Sequence, residues 1–175
     1  MRYLEILPNG EFGVTQYFVD DAVPQYAILS HTWGDESQEV TFEDMVDGLG
    51  RGKAGYRKIK FCGEQAAKDG LRYFWVDSCC INKSSAAELS EGINSMFRWY
   101  QNATKCYVFL IDVSKPSGED DRDSQLRKSR WFTRSWTLQE LIAPQCVEFF
   151  CREHWRLGDK KSLEQQLHQI TRIPI

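Results

Sequence analysis

Three short apolar runs punctuate the chain, Tyr26-Ala-Ile-Leu-Ser30, Tyr73-Phe-Trp-Val-Asp77 and Cys106-Tyr-Val-Phe-Leu-Ile111. Runs this short without polar interruption predict strands covered on both faces. Between them the apolar spacing lengthens to three and four residues, the helical period. Residues 53–69 read as a helix with Ile59, Cys62 and Ala66 on its apolar stripe and Gly70 as its stop. Ser85-Ala-Ala-Glu88 has the capping-box pattern, and Leu89, Ile93, Met96, Phe97 and Tyr100 follow at helical spacing. Residues 2–7 and 12–15 flank the turn signal Pro8-Asn9-Gly10 and predict an opening hairpin. Toward the end come a polar loop over 114–124, a strand over 146–150 and a helix from about 162 to 170. Strands alternating with helices predict an α/β fold, a mostly parallel sheet flanked by helices with an N-terminal β-hairpin. Ligands of such sheets gather at the carboxyl ends of the strands, which here carry Ser30, Asp77 and Asp112.

A further helix is predicted around Ser135-Trp-Thr-Leu-Gln-Glu-Leu141, stopped by Pro144. At about 100° per residue Trp131, Leu138 and Ile142 share one stripe, and Phe132, Trp136, Glu140 and Ala143 fall nearly opposite. The spacing sets the Trp136 indole one turn from the Glu140 carboxylate, an aromatic wall beside an acid that suits a flat cationic ligand. The plainer reading is a helix buried on both sides, with Glu140 held by backbone donors. On spacing alone both stand, whereas the Trp131, Leu138 and Ile142 stripe is expected to be core.

With 175 residues, 42% of them hydrophobic, the chain fits one globular domain, residues 1–175. A net charge of -3 supplies no basic field, so no nucleic acid is expected as partner. No apolar run approaches the ~20 residues of a membrane span, and the N-terminus does not read as a signal peptide. A soluble cytoplasmic protein is expected. Six cysteines without a Cys-x-x-Cys pair imply reduced core thiols and no metal site. The ending Ile173-Pro174-Ile175 reads as the edge of a domain cut from a longer protein.

Other candidates have plainer readings beside them. Gly50-Arg-Gly-Lys-Ala-Gly55 matches the Gly-x-Gly-x-x-Gly of phosphate-binding turns, but no strand runs into it, so a loop before a helix is expected. Cys79 or Cys80 with His31 could form a nucleophile and base, yet no cysteine-hydrolase signature surrounds them. His31 and Trp33 either line a cleft beside Ser30 or order the loop that leaves the strand. Asp77 either meets a ribose hydroxyl or accepts backbone N–H groups. Asn82 reads as a turn residue, Glu88 as part of its cap, and Arg57, Lys58 and Lys60 as a solvated helix face.

Three ordered blocks carry a family resemblance: Tyr26-Ala-Ile-Leu-Ser-His-Thr-Trp-Gly34, Phe74-Trp-Val-Asp-Ser-Cys-Cys-Ile-Asn-Lys83, and Trp131-Phe-Thr-Arg-Ser-Trp-Thr-Leu-Gln-Glu-Leu-Ile-Ala-Pro144. Together they resemble the fungal heterokaryon-incompatibility (HET) domain, as found at the N-terminus of NLR-type incompatibility proteins. HET domains are similar to TIR domains, a flavodoxin-like α/β fold of innate immunity and programmed cell death. Many TIR domains hydrolyse NAD with a glutamate four residues after a tryptophan. The resemblance therefore implies NAD as substrate with no bound cofactor, Glu140 as the catalytic carboxylate, and Trp136, Asp77, Ser30, His31, Trp33 and Gly34 as substrate-binding residues. It also implies self-association on activation. The alternative is a non-catalytic domain that signals by homotypic association, with Trp136 and Glu140 purely structural.

Overall fold

The computed structural model describes residues 1–18 and 23–173. The closing Pro174 and Ile175, on which the reading of the chain's end rests, lie outside the described residues. The strands are β1 (Leu4–Ile6), β2 (Phe12–Val14), β3 (Tyr26–His31), β4 (Tyr73–Trp75), β5 (Lys105–Leu110), β6 (Val147–Cys151) and β7 (Arg156–Asp159). They form one sheet in the order β2-β1-β4-β3-β5-β6-β7. Its centre, β4-β3-β5-β6, is wholly parallel, and antiparallel strands close both sides. Counted along the chain, the parallel strands lie in the order 2-1-3-4, which begins like that of flavodoxin-like sheets.

Among the described residues seven α-helices accompany the sheet: α1 (Phe42–Val46), α2 (Tyr56–Lys68), α3 (Asp77–Cys80), α4 (Ala86–Gln101), α5 (Glu119–Lys128), α6 (Thr137–Ile142) and α7 (Glu164–Thr171). α2 buries Ile59, Cys62 and Ala66, the expected stripe, and sets Phe61 on Phe109 of β5 at 4.8 Å between ring centres. Gly63 on the same helix has no room for a Cβ, because the Phe12 ring of β2 fills the space. The opening hairpin is thereby locked onto α2, with Gly10 at φ 79° making its turn.

Several elements depart from expectation, among them α1 and α3, the second of which begins at Asp77 where a strand end was expected. The 114–124 loop gives way at Glu119 to α5, which buries only Leu126 and so lacks an apolar stripe to announce it. β7 was not expected, since Gly158 at φ 155° and a bulge at Phe149/Phe150 break the alternation that marks a strand. The third apolar run stops pairing at Leu110, short of Asp112. α4 turns Gly92, Trp99 and Tyr100 inward and leaves Ile93 and Phe97 exposed. Most consequential, the segment around Trp136 is not one helix. Residues Arg130–Thr133 form a 3₁₀ turn, Arg134 is extended at φ -79°, ψ 144°, and α6 begins only at Thr137. Wheel positions counted across that break lose their meaning. Trp131 is fully buried as expected, but Leu138 and Ile142 are 43% and 45% exposed and are not core.

Candidate functional site

Alternation along β3 sends neighbouring side chains to opposite faces of the sheet. His31 pairs in parallel register with Phe109, whose ring stacks on α2, so His31 faces the α2 layer. Ser30 faces the other way, toward the 3₁₀ turn and α6. There its hydroxyl accepts from the Trp131 indole N–H at 2.7 Å and donates to Oε2 of Glu140. Glu140, in the first turn of α6, is 3% exposed. Arg134 closes the group with a two-pronged ion pair, Nη1 to Oε2 and Nη2 to Oε1, both at 2.9 Å. Such a planar fork is the strongest hydrogen-bonded arrangement a carboxylate makes with a side chain. Burial alone would lower the Arg134 pKa, but the Glu140 charge reverses this and raises it. Neither Glu140 nor Trp136 lines the cavity bounded by Thr32, Gly34, Glu39, Gly55 and Lys58 on the α2 face.

Trp136 stands apart from that group. It caps α6 through its backbone, its carbonyl accepting from the Glu140 N–H at 3.3 Å, while its side chain is 40% exposed. The Glu140 carboxylate is turned inward to Ser30 and Arg134, while the Trp136 side chain lies at the surface.

The α2 face holds a second group around Asp77, at the start of α3. His31 Nε2 lies 2.8 Å from Asp77 Oδ1, and the Trp33 indole donates to Oδ2 at 3.0 Å. Lys83 sits 3.5 Å above the Trp33 ring centre, a cation–π contact. Burial would raise the Asp77 pKa, but His31, Lys83 and the indole N–H together outweigh it and hold the carboxyl well below its usual range. Of the two readings offered for His31 and Trp33, these contacts fit the ordering of the loop, since both side chains grip Asp77 while Ser30 faces the other side of the sheet.

Gly34 belongs to a third group. Its N–H donates to Glu39 Oε1 at 2.7 Å, and the same oxygen receives Lys58 Nζ at 2.5 Å. Lys58 is 7% exposed, so the expectation of a solvated position is overturned, and burial lowers its pKa despite the Glu39 partner. The reason was visible in the spacing, since 58, 62 and 66 run along the buried stripe of α2. Arg57 and Lys60 are exposed as expected. Glu88 takes part in the cap of α4 only through its backbone N–H, which donates to Ser85 Oγ at 3.4 Å, while its carboxylate receives the Asn82 N–H at 2.7 Å and pairs with Arg2. Asn82 makes the expected turn, accepting from Ser84 N–H at 3.0 Å. Gly50–Gly52 of the glycine motif is a 3₁₀ turn leading to α2, with no strand before it.

All six cysteines are free, and among the described residues no cluster of potential metal ligands is present. Cys79 and Cys80 are buried in α3, while His31 is engaged with Asp77. Arg134, Glu39 and Lys58 are the site residues the sequence reading did not single out. Arg134 precedes Glu140 by six residues across a helix break, a separation that no periodicity marks.

No described helix is long and apolar enough to cross a membrane. No solved structure matches the chain. A curated relative, the vegetative incompatibility protein HET-E-1 of Podospora anserina, is 52% identical over 179 residues, covering 100% of this chain and 13% of the relative. The chain thus spans about an eighth of the length of that relative. The family model described as heterokaryon incompatibility protein (HET) matches residues 26–123, from the first residue of β3 into α5. With more than half its length matched by the family model and the whole of it aligned with that relative, the chain belongs to the heterokaryon-incompatibility (HET) family.

Proposed function

We propose that this domain is the NAD-hydrolysing effector of a heterokaryon-incompatibility protein, triggering cell death when it assembles, with Glu140 as its catalytic carboxylate. The observation that carries the reading is the convergence of Glu140 and Ser30 at the carboxyl end of the parallel strands, where α/β sheets place their chemistry. Nicotinamide in NAD is already a cationic leaving group, so its departure needs no general acid, unlike ordinary glycoside hydrolysis. One buried carboxylate then suffices to stabilise the oxocarbenium-like ribose.

In the closed arrangement that carboxylate is occupied by Arg134. Turnover requires the guanidinium to leave, so that the positive charge it supplies is replaced by that of the reacting ribose. An assembly step that shifts Arg134 and the turn after it would accomplish this, which makes the activity assembly-dependent. Trp136, free of the core, is then available to meet the departing ring, as in the TIR-like arrangement the motif resembles.

A second reading is favoured by a separate observation. α4 and α6 are in contact, and each leaves large apolar side chains exposed, Ile93 and Phe97 on α4 and Leu138 and Ile142 on α6. A surface of this kind suits homotypic association, with or without catalysis.

The two are separated by clustering the domain on a multivalent scaffold and following nicotinamide release from NAD, beside a Glu140→Gln variant. Loss of a single transition-state stabilising group lowers turnover by about 10²- to 10³-fold. Equal turnover by both proteins would remove Glu140 from the chemistry, and no turnover at any density would leave the association reading.

A further inference from the structure

The loop after β3 and the start of α3 meet at the carboxyl ends of two neighbouring parallel strands, β3 and β4, the end of an α/β sheet where ligands gather. There the Trp33 indole donates to Asp77 Oδ2 at 3.0 Å, while His31 Nε2 holds Oδ1 at 2.8 Å. A carboxylate tied on both oxygens fixes the edge of the ring and so sets its orientation. Donation to an anion also pushes electron density into the indole, which strengthens the attraction of its face for a cation. Trp33 is half-buried and the Asp77 side chain is 21% exposed, so solvent reaches both.

A cation already sits on that ring. Lys83 Nζ lies 3.5 Å from the ring centre, and its charge also acts on Asp77. Lys83 is an exposed residue of the segment between α3 and α4. An ammonium is strongly hydrated and hangs on a flexible stem, so it can return to water at little cost. A pyridinium is flat, weakly hydrated and permanently charged. It covers the indole where an ammonium touches one point, and it brings to Asp77 the same single charge that Lys83 takes away. Trp33 and Asp77 thus form the indole beside an acid that the sequence placed at Trp136 and Glu140. They do so in the closed arrangement, in which Trp136 lies at the surface and Arg134 covers Glu140. The two groups feel one another's charge: burial lowers the Arg134 pKa, and Glu140 first and Asp77 after it raise it.

We infer that the Trp33 face now covered by Lys83, beside Asp77, binds a pyridinium cation that displaces the lysine. The choice of a pyridinium rests on the NAD reading, since the nicotinamide of NAD is such a ring. Binding here precedes assembly and needs no turnover.

The test titrates ring-N-methylated nicotinamide, a permanent pyridinium, and neutral nicotinamide into the whole unclustered domain, with the indole and backbone N–H signals followed by NMR. The pyridinium should bind at millimolar concentration and shift the Trp33 indole and the Lys83 amide, and the neutral ring should bind about fivefold or more weakly. Trp33→Leu should abolish binding, but it also strips a donor from Asp77. Lys83→Ala leaves the ring in place and should tighten binding about two- to fivefold, because the occupant is gone. Lys115→Ala lifts a lysine from the Trp155 ring instead, where it lies 4.2 Å away, and should leave the Trp33 response as it is. Equal binding of the two compounds, or a response at the exposed Trp136 or Trp155 in place of Trp33, would overturn the inference. So would an affinity that Lys83→Ala leaves unchanged or lowers, or that both lysine variants raise alike. NAD turnover by the clustered domain is measured separately. Pyridinium binding at Trp33 without turnover would count against the hydrolase reading alone, and turnover without a Trp33 response against this inference alone.

Discussion

The Arg134 guanidinium meets both carboxylate oxygens of Glu140 at 2.9 Å, joining an extended linker to the first turn of α6. Because the carboxylate is buried, the pair is asymmetric in its consequences. Arg134→Ala strands an uncompensated charge and should lower stability by about 3 kcal/mol, whereas Arg134→Ala combined with Glu140→Gln should lose less than the two single changes summed. Urea unfolding of the four proteins completes the cycle, and additive losses would show that the pair is not coupled.

Ser30 links two elements through one hydroxyl, receiving the Trp131 indole and donating to Glu140. Ser30→Ala should cost about 1–3 kcal/mol by leaving a buried indole N–H without an acceptor. Chemical denaturation measures this, and Ser30→Thr should recover part of the loss if the added methyl fits beside Val108.

Asp77 predicts an acid limb in the stability profile. Its folded pKa lies below the unfolded value near 3.9, so at lower pH the unfolded chain binds a proton that the native state refuses. The stabilisation is fully present above the unfolded pKa and drains away as pH falls through the folded one. Stability should therefore decline below about pH 4, and Asp77→Asn should start lower at neutral pH and show a shallower acid slope. Parallel slopes in the two proteins would detach Asp77 from the effect.

The exposed α6 residues separate folding from association. Leu138→Asp with Ile142→Asp should shift stability little, within about ±0.5 kcal/mol for each exposed site. If the α4 and α6 surface mediates self-association, the same double variant should remain monomeric in sedimentation at concentrations where the parent assembles.

Thiol accessibility checks the core directly. Cys62, Cys79, Cys80, Cys106 and Cys151 are buried and only Cys146 is partly exposed, and burial also raises the Cys62 and Cys106 pKa values. One thiol should react promptly with an aromatic disulfide reagent in the native protein and all six after denaturation.

The apolar runs at Tyr26, Tyr73 and Cys106 made the central strands legible, since a strand covered on both faces leaves its own pattern. α5 and β7 were not legible because neither buries an apolar stripe long enough to establish a period. α5 did carry one signal, acids in its first turn and Arg127 and Lys128 in its last, the arrangement that complements a helix dipole. Of the site, Ser30 lies on β3 as the apolar run predicted, whereas the run through Asp77 ends as a strand at Trp75 and Asp77 opens α3. The relation of Trp136 to Glu140 was read from helical spacing, which fixes the backbone and not where the indole points, and Arg134 entered through tertiary packing alone.

The edges of the sheet constrain how copies of this domain can join. β2 is three residues long and sits beside a hairpin pinned by the Phe12 ring on Gly63, and β7 is four residues long and bulged. Short or kinked borders offer little template for a strand from another chain. Growth of an assembly by continuing the sheet from one molecule to the next is disfavoured at both ends, so a polymer of this domain would be built from helix against helix, and its disassembly would be governed by hydrophobic contact area and not by backbone hydrogen bonds.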